Sequence, residues 1–171
     1  IPMPGHRRPG QSVLTEEVRA AIVKAVSDGF DDQIAFTRRL VAFPSTRGAE
    51  HAIQDFLFRA FAERGYARER FAMEPEAIAR HPGGAPWSGA HSEAPIIVAI
   101  HRPREETGRS LILQSHVDVV PPGPRAMWAS DPFEARIEGD WMFGRGAADM
   151  KAGAAANLFA LDALRRAGLQ P

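Results

Sequence analysis

The chain has 171 residues, 44% of them hydrophobic, which is enough for one domain with its own core. Its 21 Lys and Arg balance 21 Asp and Glu, which argues against nucleic-acid and anionic-membrane partners, since both call for a basic patch. There is no cysteine, so disulfides and thiolate ligands are excluded and any metal must be held by His, Asp or Glu.

Residues 1–12 read as a tail, with Met3 as the native start and Ile1-Pro2 as residues added ahead of it. They lack the apolar core of a signal peptide, and no apolar run in the chain is long enough to span a bilayer as a helix, so a cytoplasmic location is expected. The domain proper is expected over 13–171. A helix is predicted over about 13–27, with Val18, Ile22 and Val26 on one face, broken by Asp28-Gly29. A second, over about 31–42, ends at Phe43-Pro44, because the residue before a proline is pushed out of the helical region. The third, over about 50–64, carries Ile53, Phe56, Leu57, Ala60 and Phe61 at i, i+3, i+4, i+7 and i+8, a single apolar stripe closed by Gly65. Burial of its four large side chains is worth about 1.5–3 kcal/mol each.

Residues 66–73 read as a strand and 74–94 as a long surface loop. Residues 95–101 (PIIVAIH) and 110–120 (SLILQSHVDVV) read as two buried strands flanking a charged turn. A hairpin is predicted over 133–143, turned by Glu138-Gly139-Asp140. A last helix runs over 149–167, with Leu158, Leu161 and Leu164 inward and Gly168 as its stop. Helices covering apolar strands define an α/β domain, with helices packed on a mixed, largely parallel sheet.

Chemistry concentrates in two places. On a strand, residues i and i+2 share a face, so His116 and Asp118 point the same way at the end of 110–120, where open α/β sheets bind ligands. A histidine ligand usually gives its second ring N–H to a carboxylate, and Asp118 is placed to receive it. Asp149 follows Gly144, Gly146 and two alanines at the mouth of a helix. Small residues there let the backbone approach a ligand, and a carboxylate could bridge two divalent ions about 3.5–4 Å apart. Taken alone, His-x-Asp is more often a strand-end hydrogen bond. Gly144-Arg145-Gly146 could equally cap the helix or hold an anion. It is no Walker loop, because no Gly-Lys-Ser/Thr follows.

The joint text is more specific. The stretch SHVDVVPPGPRAMWASDPFEARIEGDWMFGRGAADMKAG resembles the di-zinc aminoacylase/peptidase family of acetylornithine deacetylase, succinyl-diaminopimelate desuccinylase and carboxypeptidase G. The resemblance rests on the His-x-Asp with its valines and proline, on Trp128 before Asp131-Pro132-Phe133, on the acidic hairpin turn, and on Gly-Arg-Gly-Ala-x-Asp-Met-Lys. The segment Leu40 to Ser45 (LVAFPS) resembles the family's opening, and the likeness covers about residue 31 to the end apart from 74–94. It implies His116 as the first metal ligand, Asp118 as the acidic residue that orients it and tunes the catalytic site, and Asp149 as the carboxylate bridging two divalent ions. Zinc is the default metal, with cobalt and manganese as alternatives. The resemblance also implies a cis bond between Asp149 and Met150, and metal-dependent hydrolysis of the amide bond of N-acyl amino acids or short peptides.

In such a family a Glu-Glu pair, a further carboxylate and a late histidine complete the site, and a lid domain supports a homodimer. None of these is found after Asp149, so the chain reads as the N-terminal portion of a longer enzyme, inactive alone. Glu16-Glu17 and Glu105-Glu106 read as solvated surface, and Lys151 as solvated or ion-paired. His6, His51, His81 and His91 carry no assigned role. His101, at the end of its strand, could approach the site, while Trp128, Trp141 and Phe133 read as packing. Two other readings stay open: a non-catalytic folding or interaction module, and an anion-binding α/β domain using Gly144-Arg145-Gly146.

Overall fold

The computed structural model describes residues 14–84, 94–105 and 110–170. His6, His91, Glu106 and the 1–12 tail lie outside the described residues. Helix α1 spans Glu16–Asp28, with Thr15 accepting from the Val18 N–H at 3.3 Å and Glu16 and Glu17 in its first turn, where acidic side chains oppose the helix dipole. Both glutamates are exposed. Helix α2 spans Phe30–Val41, and α3 spans His51–Glu63, with Ile53, Phe56, Leu57 and Ala60 buried as its stripe requires. Gly65 follows at φ +73, the left-handed conformation that glycine adopts at little cost. The last helix, α5, spans Ala152–Arg166.

The core lies between α2, α3 and α5. Leu40 and Ile53 have no exposed surface, and the Phe36 ring meets those of Phe56 and Phe159 at 5.3 and 5.6 Å. At the far end of α3 the Arg64 Nε donates to both carboxylate oxygens of Asp162 at 2.9 and 3.1 Å, clamping α3 to α5. Val117, from the His116 segment, enters the same core.

The molecule is mixed α/β, but its sheets differ from expectation. Strand β1 (Ala67–Phe71) pairs antiparallel with β2 (Ile96–Ile100), and β3 (Arg136–Glu138) pairs antiparallel with β4 (Trp141–Phe143) through the predicted turn at Gly139. A largely parallel sheet is not formed among the described residues. Strand β2 is no buried central strand, because β1 is its only partner among the described residues and Ile96 is 49% exposed. Residues 110–120 form no strand. Their one ladder contact among the described residues is a parallel bridge between Thr46 and Val119, and Leu111 and Ile112 are 78% and 87% exposed. An apolar run signals a demand for burial but does not supply the neighbouring strands, and no described residue supplies them here.

Smaller corrections follow the same logic. Within 74–94 a short helix, α4 (Pro75–Arg80), starts on a proline at a position where the missing N–H costs nothing; 85–93 lie outside the described residues. On α1, Val26 is exposed, and Ala25 is the residue that is buried. Trp141 is 72% exposed, so it does not pack as expected. His101 lies edge-on to the Tyr66 ring at 6.2 Å.

Tyr66 is buried, and its hydroxyl has no hydrogen-bond partner among the described residues. Burial raises its pKa above the ordinary 10.0, against the lowering effect of Arg165. Tyr66→Phe should therefore gain about 1 kcal/mol, the cost of a buried orphan hydroxyl. Because the folded pKa exceeds the unfolded one, the wild type keeps its full stability below about pH 10 and loses it as pH rises above that. The variant should lack this extra alkaline loss. Urea unfolding near pH 7 and above about pH 10 checks both expectations.

Candidate metal centre

Two segments converge on the site. One is the extended stretch carrying His116 and Asp118. It is anchored by Val117 in the core and by the Val119 N–H donating to Ser45 O at 2.9 Å. The other is the turn from Gly144 to Lys151 that leads into α5. Gly146 sits at φ +75, and a Cβ there would collide with Val119 Cγ1, so the two segments touch where only glycine fits. Residues 147–151 form a single wide turn. Asp149 and Met150 depart from helical angles, and the bond between them is cis.

This places the three predicted residues together. The His116 Nε2 lies 3.0 Å from Asp149 Oδ1, and its Nδ1 lies 3.2 Å from both Asp118 Oδ1 and the Asp118 carbonyl. All three side chains reach solvent, Asp149 most of all at 89%. Both ring nitrogens thus face carboxylate oxygens. A neutral imidazole has one N–H, so one contact is satisfied by donation and the other needs a second proton or a shared cation. With Asp118 on Nδ1, the lone pair of Nε2 is directed to the side where Asp149 stands, the arrangement a histidine ligand adopts. The imidazole and carboxylate donors suit zinc and similar divalent ions. Among the described residues no group of three or more His, Cys, Asp or Glu could hold a metal, so this centre offers one histidine and one carboxylate toward an ion, with Asp118 behind the histidine.

Two residues of the centre's frame escape sequence reasoning. Lys151 is not solvated and has no ion pair among the described residues: it has no exposed surface, its Nζ donates to Phe43 O at 2.7 Å, and burial lowers its pKa to about 8. A signal for this existed. Lys151, Ala154, Ala155, Leu158 and Phe159 fall at i, i+3, i+4, i+7 and i+8, so the buried stripe of α5 extends one turn back to the lysine. Ser45 is likewise fully buried, its Oγ donating to Val117 O at 2.6 Å.

The Gly144-Arg145-Gly146 turn is spent on internal contacts. The Arg145 N–H donates to Pro132 O and the Ala147 N–H to Gly144 O, while the Arg145 guanidinium lies 5.3 Å from the Trp128 ring. Two of the amides an anion would use are therefore engaged. Trp128 itself packs, its Nε1 donating to Pro122 O at 2.9 Å.

Residues 112–171 match peptidase family M20/M25/M40. The chain is 33% identical over 131 residues to the succinyl-diaminopimelate desuccinylase of Methylocella silvestris, and 54% identical over 132 residues to that of Xanthomonas euvesicatoria. Each match covers 77% of this chain and 30% or 29% of the relative. The structure of the di-peptidase Dug1p from Saccharomyces cerevisiae superposes with a TM-score of 0.72 at 15% identity, covering 90% of this chain and 32% of that one, which shows a shared fold. The matched stretch includes His116, Asp118 and Asp149, and together with these relatives it supports a place for the chain among the M20/M25/M40 peptidases. It spans less than a third of the length of these relatives.

Proposed function

We propose that the protein carrying this chain is a metal-dependent hydrolase of amide bonds in N-acyl amino acids or short peptides, and that this chain contributes the first part of its metal centre. The observation that carries the reading is the shared contact of His116 Nε2 and Asp149 Oδ1, with Asp118 on the other ring nitrogen. His116 and Asp149 would hold the metal, Asp149 as the ligand common to two ions, and zinc is the ion proposed, with cobalt or manganese as substitutes. Divalent ions held there would polarise an amide carbonyl and acidify water. Asp118 fixes the tautomer and ring plane of His116 and strengthens it as a ligand. The Asp149 side chain, open to solvent, is accessible to a small substrate without rearrangement of the core.

Two ligands are too few for the reaction, and we place the general base, the remaining ligands, the partners of 110–120 and a dimerising lid in the additional length that the relatives possess. A cytoplasmic location is proposed with them; among the described residues no helix is long and apolar enough to cross a membrane.

The test is hydrolysis of a panel of N-succinyl amino acids, N-acetyl amino acids and dipeptides by the protein in its full native length. Activity on at least one class should vanish on chelation and return with zinc. Turnover indifferent to chelation would refute the reading. Phosphate binding that survives Asp149→Ala, in a protein without metal-dependent turnover, would favour the anion-binding alternative.

A further inference from the structure

The two segments of the centre meet across 33 residues of sequence, and something must hold their separation, because a ligand pair works only within about half an ångström of its geometry. Both segments are fastened to one bracket, the Phe43–Ser45 stretch between α2 and α3. Ser45 engages the His116 segment on both sides of Asp118: its Oγ donates to Val117 O at 2.6 Å and its carbonyl accepts from the Val119 N–H at 2.9 Å. Lys151 closes the Asp149 turn, its backbone N–H donating to Gly146 O at 3.0 Å, and its Nζ crosses to Phe43 O at 2.7 Å. Ser45 and Lys151 both have no exposed surface. Buried polar groups hold their geometry tightly, since each partner left alone would be a desolvated orphan. Ser45 reaches its ligand segment through backbone atoms, and Lys151 ties its own segment to the bracket through its buried side chain.

We infer that Ser45 and Lys151 are positioning residues that set the separation of His116 and Asp149 by tying both ligand segments to the Phe43–Ser45 bracket. The inference rests on the metal-ligand reading only for its zinc readout; the bracket geometry stands without it.

The test uses Ser45→Ala and Lys151→Met in the full native-length protein with 15N-labelled histidine. The His116 Nε2 chemical shift is read at one pH, with Asp149→Ala marking the value for a lost contact. Both variants should move the shift toward that value and weaken zinc binding by about 10–100-fold, the usual effect of removing groups that orient ligands, while the amide spectrum of the core stays native. Folded variants with the wild-type His116 shift and wild-type zinc affinity would overturn the inference. Should Lys151→Met fail to fold, Ser45→Ala decides alone. Should the wild type bind no zinc, the ligand reading fails and the His116 shift still decides the positioning role.

Discussion

Asp149→Ala should abolish turnover while leaving the fold intact. The Asp149 side chain is 89% exposed, and its polar partner among the described residues is the His116 ring. Surface substitutions of this kind usually change stability by no more than about 0.5 kcal/mol. On the proposed function the same carboxylate is shared by two ions, so its loss removes charge stabilisation in the transition state itself. A fall of at least about a thousandfold in kcat/KM is expected, about 4 kcal/mol. Steady-state kinetics beside urea unfolding of the same preparation would measure both halves. A large stability loss, or activity within tenfold of wild type, would be at odds with the assignment.

Leu40→Ala should act first on stability. Leu40 has no exposed surface, lies in the core between α2, α3 and α5, and stands one turn before the Phe43–Ser45 bracket. Truncating it removes buried methyl and methylene groups and leaves a cavity that close-packed neighbours cannot fill, a loss of about 2–5 kcal/mol. The cavity falls in the element that leads into the bracket, so loss of order should spread to the His116 contact. Urea unfolding should show a lower midpoint with an unchanged slope. A midpoint within experimental error of wild type would mean that the core is organised differently.

These two residues also show what the sequence could reveal. The α3 stripe was legible because its period fixes a buried face whatever it packs on, and the structure buries Ile53, Phe56, Leu57 and Ala60 accordingly. The centre was legible because its residues sit in dense local text: the two-residue spacing puts Asp118 beside His116, and the glycines before Asp149 mark a close approach that Gly146 makes against Val119. The sheet was not legible. Apolar runs at 95–101 and 110–120 state a preference for burial, but strand order depends on partners distant in sequence, and Leu111 and Ile112 have none among the described residues. At Lys151 charge points to solvent and position points inward, and position wins: the buried face of α5 extends one turn back to the lysine.

In the full native-length protein His116 and Asp149 should jointly hold a divalent ion. Calorimetric titration of zinc into the full native-length protein, beside His116→Ala and Asp149→Ala, tests it most directly. Zinc binding present in the wild type and lost in both variants is the predicted result. Zinc binding that persists unchanged in either variant would contradict it.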